Sequence, residues 1–221
     1  MRHRLLARGK SLLIASHFGP TLLVVTISFF ISLSQSSLLG ATQVAFAIFC
    51  GQLVVGWSND VIDYPLDRAA GRSKKPLVAG QLQVDFLRRL IPIALITAIV
   101  FSFFSPLGLI GTTLHLLGIL SATLYNAKLK ATVLSPLPYI VSFGGLPWAI
   151  YLGAGEKPPL WLYLALALFT TAFHFLNVLK DLEWDIEQGI LGLPQRLGRN
   201  KSIFIAGVLA LSGVLVVLTQ N

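Results

Sequence analysis

The sequence predicts an all-α fold, a polytopic transmembrane helical bundle of about seven helices. Three observations carry this. Hydrophobic residues make up 55% of the 221 positions and charged residues only 12%, and the mean hydropathy is +0.77. Such values belong to chains that meet lipid on most sides. Seven apolar stretches recur, at about 12–33, 38–57, 84–104, 107–126, 133–152, 159–179 and 202–219. Each is close to the roughly 20 residues that cross a hydrocarbon core as a helix, the conformation that satisfies its own backbone in lipid. Finally, 16 of the 17 Lys and Arg residues fall at alternate ends of these stretches.

The elements follow in order. Stretch 12–33 comes after Arg2, Arg4, Arg8 and Lys10 and imitates a signal peptide. It is longer than a typical signal core, and six more stretches follow, so it reads as a retained helix. Stretch 38–57, after a turn at Ser34–Ser37, holds the one cysteine, Cys50. A lone cysteine cannot close an intrachain disulfide and reads as packing. Stretches 84–104 and 107–126 are joined by a turn at Ser105-Pro106-Leu107-Gly108, and 133–152 and 159–179 by Gly153–Pro159. The short linkers predict one membrane-embedded domain over 1–221, with halves 1–104 and 105–221 as parallel repeats.

With the N-terminus inside, segments 1–11, 58–83, 127–132 and 180–201, together with Arg88 and Arg89, hold every Lys and Arg except Lys157. That is the positive-inside bias. It predicts a multi-pass protein of the cell (inner or plasma) membrane with a cytoplasmic N-terminus. The net charge of +8 thus reports topology and an anionic ligand. No separate basic domain is present for nucleic acid.

A six-residue pattern occurs twice at identical spacing, N-x3-D-x3-D-x3-G-x4-P-x3-G. The copies are Asn59, Asp63, Asp67, Gly71, Pro76, Gly80 and Asn177, Asp181, Asp185, Gly189, Pro194, Gly198. Both end an apolar stretch and both face the predicted cytoplasmic side. Positions i, i+4 and i+8 of a helix drift by only about 40° per step. Asn59, Asp63 and Asp67 are therefore expected on one face, with Gln52 and Asp60 close to it. Asn177, Asp181 and Asp185 are expected on another, with His174 and Gln188. Gly71 and Gly189 are placed to cap each helix, and Pro76 and Pro194 to keep the following loops from continuing as helix.

Ionisable groups at a membrane span are costly and tend to be functional. Four carboxylates and two amides, all oxygen donors, suit a hard cation such as Mg2+. Mg2+ commonly takes one or two carboxylates and completes its shell with phosphate oxygens. The basic residues nearby (Arg68, Arg72, Lys74, Lys75, Lys128, Lys130, Arg196, Arg199) could neutralise a diphosphate. A lipid-linked diphosphate is the ligand these features suggest. Asp85, Glu183 and Glu187 read as surface charges, and His115 as a packed residue.

The segment Asn59-Asp60-Val61-Ile62-Asp63-Tyr64-Pro65-Leu66-Asp67 resembles the NDxxDxxxD signature of UbiA-type intramembrane prenyltransferases. Gly71-Arg72-Ser73-Lys74-Lys75-Pro76-Leu77-Val78-Ala79-Gly80 is similar to that family's G-R-T-x-R-P-L-x-x-G, with Ser73 for Thr and Lys75 for Arg. Asp181 to Asp185, with Gly189, Leu193-Pro194 and Leu197-Gly198, resembles its DxxxD…G…LP…LG. The stretches 125–130 and 174–178, with Pro136, Pro138-Tyr139 and Gly144–Pro147, look most like actinobacterial members.

The resemblance implies a reaction and roles. A prenyl diphosphate binds through Mg2+, the diphosphate leaves, and a hydrophobic acceptor, aromatic or lipid and usually aromatic, captures the allylic group. Asp63, Asp67, Asp181 and Asp185 would be catalytic, and with Asn59 would face the metal. Asp60, Arg72, Lys75, Tyr125, Lys128, Lys130, His174 and Asn177 would bind substrate. Trp57, Tyr125, Phe143, Trp148, His174 and Phe175 would line the pocket or simply pack the bundle.

Two departures stand out. The family's YxxxK element becomes Tyr125, Lys128 and Lys130 here, with Leu129 at the usual Lys position. The family has nine helices, and seven stretches leave the last two unaccounted for. A short variant that closes as a homo-oligomer and a truncated chain are both expectations. A non-catalytic prenyl-diphosphate-binding protein is the alternative of another class. A CDP-alcohol phosphotransferase fits less well, since neither copy has the D-G-x2-A-R element. A transporter would want charged or broken helices near the midplane.

Overall fold

The structure is a computed structural model that describes residues 2–220, with side chains from Leu6 onward. Arg2 and Arg4 of the predicted basic flank thus have no described side chains, and Asn221 lies outside the described residues. Among the described residues all regular structure is helical: α1 (Arg2–Ala15), α2 (Phe18–Leu33), α3 (Leu38–Ala69), α4 (Val84–Phe103), α5 (Gly108–Ala127), α6 (Leu137–Gly153), α7 (Leu160–Val178), α8 (Leu182–Glu187), α9 (Leu193–Leu197) and α10 (Arg199–Leu218). A single 3-10 turn, Leu129–Ala131, lies between α5 and α6.

Five helices, α3, α4, α5, α7 and α10, are long and apolar enough to cross a membrane. The pair α1 and α2 makes a sixth candidate if its two parts count as one span. Helix α6, with 17 residues, is shorter than those five. The all-α, multi-pass reading therefore holds, with two adjustments. The stretch 12–33 is not one helix: it breaks at Ser16 and His17 and bends by 74°. The stretch 133–152 turns helical only at Leu137, because Ser135 and Pro136 sit in turns first.

The chain divides into two compact units, one running to Gly108 and the other starting at Leu109. In the first unit α2 and α4 both pack against α3. Ala41, Val44, Ala47, Ile48 and Val54 of α3 are buried in that packing. Ser37 starts α3 by accepting the Gly40 N–H on its hydroxyl at 3.2 Å, an N-cap that satisfies an otherwise orphaned donor. In the second unit α6 and α10 both pack against α7. Ala172, Phe175 and Ala206 form its buried cluster, with Leu193, Leu197 and Leu209 against it. Leu22, Phe204 and Leu211 are among the large apolar side chains left exposed, as lipid-facing residues are. Each unit is thus built around the helix that leads into one acidic copy.

The two copies end alike. Helix α3 stops at Ala69, and Gly71 follows with φ 64°. The Gly71 N–H donates to Arg68 C=O at 3.1 Å and the Arg72 N–H to Asp67 C=O at 3.0 Å. Helix α8 stops at Glu187, and Gly189 follows with φ 73°. The Gly189 N–H donates to Ile186 C=O at 3.0 Å and the Ile190 N–H to Asp185 C=O at 2.8 Å. Both are Schellman motifs, with the last Asp of each copy in the same position.

The second copy departs from expectation further up. Asn177, Asp181 and Asp185 were expected along one helix, but α7 stops at Val178 and α8 restarts at Leu182. Between them Leu179, Lys180 and Asp181 donate to Leu176, Asn177 and Val178, three residues back instead of four. The tighter turn takes the chain out of the α-helical register. The role expected of Pro194 also changes. It sits in the first turn of α9, where a missing N–H costs no hydrogen bond.

Candidate functional site

In the first unit the acidic motif continues α3 well beyond its apolar part, past Pro65 and up to Ala69. Asp60 and Asp67 are 3% and 2% exposed, and buried carboxyl groups call for polar partners. Lys75, folded back from the loop after α3, supplies one. Its Nζ lies 2.9 Å from Asp60 Oδ1, which accepts a hydrogen bond, and 3.0 Å from Asp67 Oδ2. The second contact is an ion pair at hydrogen-bond distance. Arg72 reaches Asp67 Oδ1 at 3.5 Å. Burial pulls the Lys75 pKa down, but the two carboxylates more than offset it and hold the pKa above the ordinary lysine value.

Helix α1 reaches the same place through its break. His17 Nε2 stands 3.3 Å from Asn59 Nδ2 and 3.4 Å from Asp60 Oδ1. Just before it, Trp57 Nε1 donates to Leu12 C=O at 3.2 Å. Ser11 donates to Gln81 Oε1 at 2.9 Å, which ties the loop after Pro76 to α1. Pro76 is itself fully buried. Asn59, Asp60, Asp67, Arg72 and Lys75 thus come together, with Asp63 one turn beyond Asn59 on α3 and half-buried.

In the second unit Gln195 of α9 donates from Nε2 to Asp185 Oδ2 at 2.8 Å. Asp181 and Asn177 are exposed, and Lys180 Nζ donates to Asn177 Oδ1 at 3.1 Å. Arg199 donates to Glu183 at 2.9 Å, which lowers the pKa of that exposed carboxyl. His174 is 1% exposed, and its ring sits among Tyr125, Tyr139 and Phe175, with centroids 5.7, 4.5 and 5.9 Å away. Its Nε2 is 3.2 Å from Ser135 Oγ, which also accepts the Leu193 N–H at 3.1 Å. His174 and Tyr125 are therefore in one aromatic cluster, and Asp181 stands at the exposed start of α8. Lys128 is exposed, and Lys130 lies in the 3-10 turn. A Cβ on Gly192 would come within 2.5 Å of the Lys130 C=O and 2.7 Å of Gln195 Oε1. Only glycine allows that approach, which joins the basic turn to α9 and so to Asp185.

Among the residues here that had no part in the sequence argument are His17, Ser135 and Gln195. Gly19-Pro20, inside an apolar stretch, signalled the break that delivers His17. Nothing in the spacing marks the other two.

Among the described residues no group of three or more His, Cys, Asp and Glu side chains forms a metal cage. Mg2+ asks for less when a diphosphate supplies oxygens. Asn59 and Asp63 offer oxygens one turn apart on one face of α3. In the second unit Asp181 and Asp185 bracket the first turn of α8. These all-oxygen sets fit the ion.

The model of the UbiA prenyltransferase family matches residues 19–220. The digeranylgeranylglyceryl phosphate synthase of Methanosarcina mazei is 32% identical over 169 residues, 72% of this chain and 55% of that protein. The enzyme of the same name from Sulfolobus acidocaldarius is 27% identical over 165 residues, 72% of this chain and 57% of that protein. The chain thus spans a little over half the length of these curated relatives. Among solved structures, a UbiA homologue from Aeropyrum pernix K1 has a TM-score of 0.77 at 17% identity, covering 90% of this chain and 77% of that one. A UbiA homologue from Archaeoglobus fulgidus, bound to GPP and Mg2+, has a TM-score of 0.74 at 15% identity, covering 96% and 79%. At such identity these structures speak for the fold. The family match takes in nearly every described residue, including both acidic copies, and this multi-pass membrane protein belongs to the UbiA prenyltransferase family.

Proposed function

We propose that the chain transfers an isoprenyl group from a prenyl diphosphate to a hydrophobic acceptor within the membrane, with Mg2+ as cofactor. The observation that carries this is the duplicated acidic motif, lying wholly inside the span of the family match. The neighbour bound to GPP and Mg2+ supports the donor and the ion. Both curated relatives are named as synthases of a digeranylgeranylglyceryl phosphate. That favours the lipid acceptor of the two classes, aromatic and lipid, expected from the sequence. The basic residues between apolar stretches support a cell-membrane location with both motifs on the cytoplasmic side.

In the transfer, the bond between C1 of the isoprenyl chain and the diphosphate oxygen breaks. The diphosphate keeps the electron pair, and the acceptor's nucleophilic atom bonds to C1 and gives up its proton to water. Bound Mg2+ would neutralise charge growing on the diphosphate. Within each unit the acidic copy would supply ligands for such an ion, Asn59 and Asp63 in the first and Asp181 and Asp185 in the second. Lys75 and Arg72 pair with Asp60 and Asp67 and hold the loop in place. Lys128 and Lys130 would bind phosphate oxygens directly.

The test uses membranes holding the full chain, Mg2+, prenyl diphosphates of several lengths and a pool of lipid and aromatic acceptors. Diphosphate release and product mass are read. Asp63→Asn and Asp181→Asn should each reduce turnover by at least about 100-fold, as loss of a main electrostatic contact does. Unchanged turnover in both variants would sink the proposal. Binding of prenyl diphosphate without any release is the outcome that a non-catalytic carrier predicts.

A further inference from the structure

His17 is the one residue other than glycine with a positive φ among the described residues, at φ 54° and ψ 54°. This left-handed conformation is uncommon and is kept where surrounding contacts impose it. Here those contacts are visible. A Cβ on Gly56 would lie 2.7 Å from Ser16 C=O, so the break rests directly on the α3 backbone. Thr21 donates to the same carbonyl at 2.7 Å, and Trp57 to Leu12. The clamp sits one turn before Asn59 and carries the His17 ring to it.

An amide side chain can turn over at little cost unless one end is held. Only its oxygen can bind a hard cation. His17 Nε2 stands 3.3 Å from Asn59 Nδ2 and, as an acceptor, would hold the nitrogen end. Asp60 Oδ1, 3.4 Å from the same ring atom, already has the Lys75 ammonium at 2.9 Å. We propose that His17 is a positioning residue for the first acidic motif: it pins Asn59 Nδ2 and so turns Asn59 Oδ1 toward a Mg2+–diphosphate ligand. The proposal rests on the function proposed above. Partners of this kind set the orientation of a ligand without touching the ion.

The test compares His17→Gln with His17→Leu in the full chain, reconstituted in lipid nanodiscs. Both bear a similar backbone cost at the left-handed position. Gln alone keeps an acceptor for Asn59. The probe is Mn2+ with inorganic diphosphate, followed by electron paramagnetic resonance, with melting temperature recorded beside it. His17→Leu should weaken Mn2+ binding about tenfold, and His17→Gln should restore most of it at an equal melting temperature. Wild-type binding in both variants, or equal loss in both, would overturn the proposal. Asp63→Asn is the control for the underlying function. If it leaves Mn2+ binding intact, the metal site itself is misassigned, whatever His17 does. If it abolishes binding while His17→Leu does not, only the role of His17 fails.

Discussion

Lys75 Nζ lies 2.9 Å from Asp60 Oδ1, joining the loop after α3 to a carboxylate 15 residues earlier. The same ammonium reaches Asp67 at 3.0 Å. One loop cation therefore bridges two buried acids of the same motif, two turns apart on the helix. Asp60 and Asp67 thus both face a cation supplied by the chain.

Removing that cation should be costly. Lys75→Met leaves two carboxylates that are 3% and 2% exposed without their ammonium. Breaking a buried ion pair from one side typically costs about 3 kcal/mol or more, with Arg72 at 3.5 Å covering part of the loss for Asp67. The expected result is a clear fall in melting temperature in detergent, reduced when Asp60→Asn is added. The pH dependence has a definite sign. A lysine with a raised folded pKa stabilises fully below its unfolded value and loses that contribution as pH rises through the folded one. Wild-type protein should lose this increment only above the ordinary lysine value of 10.5, and Lys75→Met should lack that alkaline step.

The paired helix ends give a comparison within one chain. Gly71 and Gly189 have φ of 64° and 73°, and a Cβ at either would meet nothing within 4 Å. Substitution is therefore a backbone effect alone. Gly71→Ala and Gly189→Ala should each destabilise by about 1 kcal/mol, read from denaturation midpoints. A much larger loss at one of them would mean that its cap holds more than the local turn.

Both caps were legible in the sequence, because a glycine four residues after the last Asp is where a helix end needs a left-handed residue. So was the run of α3 through its motif, since Asn59, Asp63 and Asp67 repeat at helical spacing. The same spacing misled in the second copy. Leu179-Lys180-Asp181 contains no Pro or Gly, and the break between α7 and α8 comes from a tightened turn that local propensity does not announce. The partner of Asp60 could not be read either. Lys75 stood among several loop cations, and only the fold of the loop shows which of them turns back. His17 was hidden for a related reason. Its stretch has the length and hydropathy of a single span, and Gly19-Pro20 was not read as a break.

Ser135 tests whether the loop around α9 depends on one hydroxyl. Its Oγ is fully buried, accepts the Leu193 N–H at 3.1 Å and stands 3.2 Å from His174 Nε2. Ser135→Ala removes both at once and leaves a backbone donor and a ring nitrogen without that partner. An orphaned buried group costs about 1–3 kcal/mol. The melting temperature should fall, and hydrogen exchange at the Leu193 amide should speed up. Ser135→Thr keeps the hydroxyl and should recover most of the exchange protection. Unchanged exchange in Ser135→Ala would show that α9 is held by its packing against α7 and α10 instead.

Gly56 sets the approach of the first helices to α3. A Cβ there would stand 2.7 Å from the Ser16 carbonyl oxygen and 2.8 Å from the neighbouring backbone atoms. These are main-chain atoms, which cannot turn aside as the tip of a side chain can. Gly56→Ala must therefore push the break between α1 and α2 off the helix, at a cost of about 1–3 kcal/mol for overpacking. The Trp57 to Leu12 hydrogen bond should loosen, and Trp57, now 7% exposed, should gain access to solvent or lipid. The measurement is tryptophan fluorescence, with the other three tryptophans changed to Phe so that Trp57 reports alone. A shifted emission maximum and faster quenching are expected in Gly56→Ala. An unshifted spectrum at wild-type stability would mean that the break is not seated on α3 as the structure has it.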